Sequence, residues 1–301
     1  MGQWRFGIDL GGTKTELIAL DATGQEQRRE RIATDSSTYA GIIDGIVGLV
    51  QRAERDLGGQ GTVGVGIPGA VDPTNGLIKN ANTTILIGKP FDQDLAAALD
   101  RPVRLENDAN CLAVSEATDG AGAGAAMVFA IILGTGVGGG LALNGRAWRG
   151  ANAIAGEWGH NPLPWPRDDE RPGRTCYCRK QGCIETFLSG PGLAADHGGG
   201  LTGRQVAEAA RQGDETARAA LDRYIDRLAR ATAHIINMID PDVLVLGGGV
   251  SLVPDLYEKV PLLWPQYVFG GKAPSTRLVP ARHGDSSGVR GAAWLWPAVS
   301  L

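Results

Sequence analysis

The sequence has no apolar stretch approaching the roughly eighteen uncharged residues that a membrane-spanning helix requires, so no helical span is expected. It also lacks a long run of charge of either sign: 29 basic and 33 acidic residues are interspersed and leave a net charge of −4. Nucleic-acid and anionic-membrane surfaces need clustered Lys and Arg, and neither is expected here. Met1 leads directly toward the first strand with no apolar leader between, so no signal peptide is expected and the location is read as cytoplasmic. Cysteine is scarce, with four residues in 301, and in that compartment thiols stay reduced.

Glycine is abundant. Its 45 residues are about twice the usual share of roughly 7%, and they fall in turns between apolar runs. A hydrophobic content of 43% supports two cores, and 301 residues exceed the usual single-domain range. Two domains around a shared cleft are therefore expected. Residues 119–125, rich in Gly and Ala, read as the junction. That reading gives an N-terminal domain over 1–118, with a terminal helix over 288–301 packing back on it, and a C-terminal domain over 119–287.

The chain is organised around Asp9-Leu10-Gly11-Gly12-Thr13-Lys14, which lies between two apolar runs with no helical stretch. The pattern predicts strand, tight turn, strand. Glycines at the tip let backbone N–H groups approach an anion such as phosphate. Thr13 and Lys14 add a hydroxyl and a cation, and Asp9 is placed to hold a hydrated divalent metal. The same arrangement recurs at residues 128–143, with Gly134-Thr135-Gly136 at the turn. Two such hairpins facing each other can clamp a polyphosphate. The spacing Gly134, Gly136, Gly139 imitates a dinucleotide fingerprint, but these glycines lead into a strand rather than a helix.

Between the hairpins a third strand is read over 28–34, helices over 39–57 and 91–99, and buried strands over 62–67 and 102–105. The polar segment Lys79-Asn80-Ala81-Asn82-Thr83-Thr84 suits a turn, or amides facing sugar hydroxyls. Asp108 opens a helix read over 111–117. It can cap that helix or accept a proton from a substrate hydroxyl, and both roles can hold. Downstream, Cys176, Cys178 and Cys183 fall within eight positions, with His160 as a fourth ligand. This set suits tetrahedral, structural zinc, while Cys111 is read as core. Residues 161–175, heavy in Pro and charge, read as a lid or interface loop. A long helix over 214–239 precedes a strand over 243–246 that runs into Gly247-Gly248-Gly249, where a flat ring can approach closely or the chain simply turns. A last helix, from Val289 to about Trp296, is read with a serine cap.

Taken together, Asp9-Leu10-Gly11-Gly12-Thr13-Lys14, Gly66-Ile67-Pro68-Gly69, Asn107-Asp108-Ala109-Asn110, Leu133-Gly134-Thr135-Gly136, Glu157-Trp158-Gly159-His160, the cysteine cluster ending in Glu185, and Gly247-Gly248-Gly249 resemble the ROK family of bacterial sugar kinases and repressors. The resemblance spans essentially the whole chain. It implies an α/β fold of two duplicated ribonuclease H-like domains, the actin-like, hexokinase-like ATPase architecture, with a zinc-binding loop. Within the family the chain looks most like fructokinases that also accept mannose, on Lys79-Asn80-Ala81-Asn82-Thr83, on the run from Gly156 to Trp165, and on the run from His283 to Pro297.

The resemblance implies ATP-dependent phosphorylation of the 6-hydroxyl of D-fructose, and of mannose, with Asp108 as general base. Gly69, Asn82, Asn107, Asp108, Glu157, His160 and Glu185 would bind the sugar. Asp9, Gly11, Gly12, Thr13, Lys14, Gly134, Thr135, Gly136, Gly247, Gly248 and Gly249 would bind ATP and Mg²⁺, and a homodimer is expected by the same analogy. N-acetylglucosamine or glucose is the alternative substrate. A sugar-responsive regulator would carry an added helix-turn-helix segment, whereas the first strand here begins near residue 4. A non-catalytic sugar-binding protein would lack the base or the phosphate loops. One departure stands out: the family's cluster usually has glycine after its second cysteine, and this chain has Arg179, so the loop is expected to bend differently.

Overall fold

The computed structural model describes residues 4–296; the chain start and residues 297–301 of the expected terminal helix lie outside them. In chain order the strands are β1 (Trp4–Leu10), β2 (Lys14–Leu20), β3 (Glu26–Ala33), β4 (Gly61–Ile67), β5 (Ala70–Val71), β6 (Ile78–Lys79), β7 (Val103–Asn107), β8 (Met127–Leu133), β9 (Val137–Leu143), β10 (Arg146–Ala147), β11 (Val243–Gly247) and β12 (Arg277–Pro280). The helices are α1 (Tyr39–Leu57), α2 (Phe91–Leu99), α3 (Asp108–Thr118), α4 (Glu185–Leu188), α5 (Gly190–His197), α6 (Gly203–Arg211), α7 (Glu215–Ile239), α8 (Asp255–Leu263) and α9 (Ser287–Ala293). The described residues divide into a unit of 4–124, 140–155 and 285–296, and a unit of 125–139 and 156–284. No described helix is long and apolar enough to cross a membrane.

The first sheet has the order β3-β2-β1-β4-β7. β1 and β2 form the antiparallel hairpin, while β4 and β7 extend it in parallel. Alternation along β2 sends Leu17 and Ala19 into a core with Phe6, Ile8, Val63, Val65 and the buried stripe of α1. Ile18 and Leu20 face the other way, onto Val289 and Ala293 of α9. Because both faces are covered, these strands read as nearly continuous apolar runs. β3 is the exposed edge, and its charges blunt it: Arg29 and Arg31 each pair with Glu16 on β2 at 2.6 Å. α1 starts on Thr38, whose hydroxyl accepts from the Gly41 N–H, and stops at left-handed Gly58.

The second sheet repeats the scheme in the order β10-β9-β8-β11-β12, with β11 parallel to both β8 and β12. In each sheet a glycine-turned hairpin is followed by strands that return in parallel. The long helix α7 begins on Asp214, which accepts from the Ala217 N–H at 2.8 Å, and ends at left-handed Asp240 just before Pro241.

One local expectation needs correction. α9 starts two residues before the expected Val289, and Ser286 at its N-cap makes no side-chain capping bond. The hydroxyl of the next serine, Ser287, donates instead to buried Glu116 on α3 at 2.8 Å, where a desolvated carboxylate needs a donor. The segment 161–175 is also held down. Buried Glu170 accepts from Arg227 at 2.7 Å and from Arg230 at 2.8 and 2.9 Å, while Arg230 reaches the Pro164 and Trp165 carbonyls.

Burial alone would raise the Glu170 carboxyl, but bonds from Arg230, Arg227 and the Arg167 N–H outweigh it and bring it to about 2. The folded state therefore binds this proton less tightly than the unfolded chain. The resulting stability is present above the ordinary glutamate range and is lost as pH falls from about 4.5 toward 2. Glu170→Gln leaves two buried guanidinium groups short of a counter-charge, and is expected to cost about 3–5 kcal/mol at pH 7 in urea unfolding. The gap from wild type should narrow steadily toward pH 2.

Candidate functional site

In the first unit the parallel registers put Asp9 opposite Gly66 and Gly66 opposite Glu106, with Ile67 opposite Asn107. Asp9 near the end of β1 and Asp108 just past β7 thus rise from the same sheet edge, on either side of β4. Carboxyl ends of parallel strands are where open α/β sheets present their ligand-binding groups. Desolvation, with the charges of Asp108 and Glu16 beside it and Arg31 only partly offsetting them, pushes the Asp9 carboxyl up to about 6.

Capping divides the work at the start of α3. Asn107, not Asp108, is the N-cap residue, and its side-chain oxygen accepts from the Ala109 N–H at 2.9 Å. Asp108 is the first helical residue and shares the same N–H at 2.8 Å. The capping expected of Asp108 is therefore shared with its neighbour, which holds the N-cap position. Asn107 also donates to the Gly69 carbonyl at 3.3 Å, and the Asn82 N–H donates to the Pro68 carbonyl at 3.0 Å. The structure so brings Gly69, Asn82, Asn107, Asp108 and Asp9 into one neighbourhood. At the hairpin tip the Gly11 N–H bonds the Lys14 carbonyl at 3.0 Å, leaving Gly12, Thr13 and Lys14 exposed.

Two residues with no assigned role support this corner. Buried Glu106 accepts from the Asn107 N–H at 2.9 Å and from Asn110 at 3.0 Å, and its other oxygen accepts from Arg149 at 2.6 Å. Arg149 also donates to the Leu105 carbonyl. Glu106 was visible next to the Asn-Asp motif; Arg149 is 43 positions away and carries no local signal.

In the second unit the elements are again linked by short contacts. Gly134 N–H bonds the Gly136 carbonyl at 3.0 Å, which closes the β8–β9 turn and leaves Thr135 exposed. Glu185 accepts from the Val137 N–H at 2.9 Å, and a Cβ on Gly136 would lie 2.7 Å from that carboxylate, so a side chain there would push the carboxylate aside. Gly248 has φ 82°, and a Cβ on it would meet the Leu133 backbone at 2.6 Å. Gly247 ends β11, and Gly249 is exposed. Glu157, also exposed, starts the short turn that carries His160.

The nitrogen of His160 and the sulfurs of Cys176, Cys178 and Cys183 all lie within 4.8 Å of one another. His160 Nδ1 is 3.5 Å from Cys176 Sγ, and Cys178 Sγ is 3.6 Å from Cys183 Sγ. A tetrahedral thiolate site with bonds of about 2.3 Å has S···S edges of about 3.8 Å, so the donor set fits a closed four-coordinate metal. Burial and the neighbouring thiols push Cys183 up to about 12, a cost that a bound cation would reverse. His160 Nε2, the ring nitrogen away from Cys176, sits 2.9 Å from the Tyr177 hydroxyl. Tyr177 was part of the cysteine stretch but was assigned nothing.

The expectation that the loop bends differently at Arg179 is overturned. Arg179 itself adopts φ 71°, and its N–H closes the turn onto the Cys176 carbonyl at 2.9 Å. The backbone keeps a left-handed residue at a cost of about 1–2 kcal/mol for a side chain that gains nothing by burial.

The raised Asp9 carboxyl sets a prediction. The folded state holds this proton more tightly than the unfolded chain, so stability is lost as pH rises from about 4 through about 6. Metal-free Asp9→Asn is expected to unfold at higher temperature than wild type at pH 8, by on the order of 1–3 kcal/mol, with the advantage gone near pH 4. Thermal unfolding across pH measures it, and a less stable variant at pH 8 would contradict it.

A sequence model described as the ROK family matches residues 5–299. The chain is 41% identical over 299 residues to N-acetyl-D-glucosamine kinase of Salmonella gallinarum, covering 96% of this chain and 98% of that one. Among solved structures it resembles a ROK hexokinase from Thermus thermophilus, with TM-score 0.85 and 31% identity over 98% of this chain and 97% of the other. A ROK family glucokinase from Streptomyces griseus, in complex with glucose and AMPPNP, follows with TM-score 0.75 and 30% identity over 96% and 98% of the two chains. The duplicated α/β fold and the ordered motifs thus belong to one lineage, and the chain is a sugar kinase of the ROK family.

Proposed function

We propose that this kinase transfers the γ-phosphoryl group of ATP to the 6-hydroxyl of D-fructose, and also of D-mannose. The observation that carries the reading is Asp108 at the sheet edge, first residue of α3 and standing within charge range of Asp9. Phosphoryl transfer asks a protein for an aligned hydroxyl and neutralised charge rather than for covalent chemistry. Asp108 takes the proton of the attacking hydroxyl as the bond to phosphorus forms. Gly69, Asn82, Asn107, Glu157, His160 and Glu185 are assigned to the sugar. Gly11, Gly12, Thr13, Lys14, Gly134, Thr135, Gly136, Gly247, Gly248 and Gly249 are assigned to ATP. Asp9 would hold Mg²⁺, which supplies charge neutralisation at the phosphates. A cation lowers the Asp9 carboxyl that its surroundings otherwise raise.

His160, Cys176, Cys178 and Cys183 would hold a structural Zn²⁺ that folds the loop and leaves no open coordination position. A cytoplasmic homodimer belongs to the same reading. The choice of fructose rests on the resemblance around Asn82, on the run from Gly156 to Trp165 and on the run from His283 to Pro297. N-acetylglucosamine is the second reading, favoured by the 41% identical Salmonella kinase.

The decisive experiment is ADP release with Mg-ATP against fructose, mannose, glucose and N-acetylglucosamine, comparing kcat/KM. Fructose is expected to lead, and a clear lead for N-acetylglucosamine would replace the substrate while leaving the mechanism. Asp108→Asn should fold, bind ATP and lose turnover by several orders of magnitude; near-normal turnover would remove its role as base. Elemental analysis is expected to find about one zinc per chain, and stripping it should weaken hexose binding and lower the melting temperature. A metal-free chain that is folded and fully active would refute that site.

A further inference from the structure

Thr83 carries a hydroxyl that the fold does not use. The residue is 6% exposed, and among the described residues none is hydrogen-bonded to its Oγ1. It stands at the start of a short 3₁₀ turn, Thr84–Leu86, yet caps it only through its backbone: its carbonyl accepts from the Leu86 N–H at 3.1 Å, and the side chain makes no capping bond. A buried hydroxyl without a partner is destabilising, and an apolar side chain of the same shape would avoid that cost. The position is what gives the hydroxyl meaning. Thr83 follows exposed Asn82, whose N–H is tied to the Pro68 carbonyl, and Ala81 packs directly on Gly69. On its other side, the nearest atom to a Cβ built on Gly12, at the tip of the phosphate hairpin, is Thr83 Oγ1 at 3.8 Å.

We infer that the Thr83 hydroxyl is a hydrogen-bond donor to a substrate oxygen, made available between the segment assigned to sugar and the hairpin assigned to phosphate. The inference rests on the kinase reading. The acceptor is a hydroxyl oxygen of the hexose or an oxygen of the transferring phosphoryl group. These share one chemistry, an oxygen lone pair presented beside Gly12, and the bond forms in the substrate complex rather than in the free protein.

The test compares Thr83→Val, which keeps the shape and removes the hydroxyl, with Thr83→Ser, which keeps the hydroxyl. In the ligand-free enzyme Thr83→Val should melt at the wild-type temperature or above, because it deletes an unsatisfied polar atom. Its kcat/KM for hexose should nonetheless fall about tenfold to a hundredfold, while Thr83→Ser stays within a few-fold of wild type. A fall expressed in the KM for hexose identifies a sugar hydroxyl as the acceptor, and a fall in kcat at saturating hexose identifies the phosphoryl group.

Retention of wild-type kcat/KM by Thr83→Val would overturn the inference. So would a parallel loss of melting temperature and activity, which would mark the hydroxyl as part of the fold. The kinase reading fails separately, by absence of phosphoryl transfer from the wild-type enzyme to any hexose.

Discussion

Two carboxylates that repel each other, Asp9 and Asp108, stand at one edge of the first sheet, and the surrounding elements prevent them from moving apart. The register of β1 on β4 and of β4 on β7 fixes their backbones. Asn107 clamps the start of α3 to the turn at Gly69, and Glu106, compensated by Arg149, holds the same corner from below. Burial of Asp9, and after it the charge of Asp108, is a net cost to the fold, as the rise of Asp9 to about 6 expresses. Destabilisation of this kind is characteristic of functional sites, and under the proposed reading a cation at Asp9 and a substrate proton at Asp108 would relieve it.

The second unit uses the opposite device. Its charged and polar groups are paired in sequence, so that each fixes the next. The thiol cluster positions His160 and lies 3.7 Å from Glu185 through Cys176. Glu185 then holds the Val137 N–H and lies close over Gly136, while the Leu133 backbone is packed against Gly248. A change at the cysteines therefore reaches the β8–β9 turn through bonded neighbours. The same logic explains why segment 161–175 is not loose: Glu170 ties it to α7 through two buried arginines whose desolvation makes any release costly.

Local chemistry made much of this legible in advance. Both glycine hairpins, the span of α1 and of α2, and the grouping of His160 with three cysteines follow from short-range patterns of apolar residues, glycines and ligand spacing. What escaped were arrangements decided by distant partners. The choice of Asn107 as cap depends on where β7 stops, and the Ser287 hydroxyl was claimed by Glu116, 171 positions away. Arg149 and Glu106, and Arg230 and Glu170, meet only because the fold folds them together. Arg179 misled for another reason: a left-handed backbone is disfavoured for a side chain, but a tightly bonded turn can impose it.

The repeat of one topology also sets two turns in equivalent places. In each sheet the hairpin's first strand is flanked by a strand parallel to it: β4 beside β1, and β11 beside β8. The segment following that strand is Pro68-Gly69 in one unit and Gly248-Gly249 in the other. These are topologically equivalent positions, each emerging beside a glycine turn at the carboxyl edge. In the first, Gly69 is in contact with Ala81 and accepts from Asn107, so its neighbours are amides suited to hydroxyl groups. In the second, Gly249 has no atom within 4 Å of where a Cβ would stand, which leaves its backbone open to a flat ring. The same architectural position has thus diverged by what the chain places beside it, polar side chains in one case and bare backbone in the other.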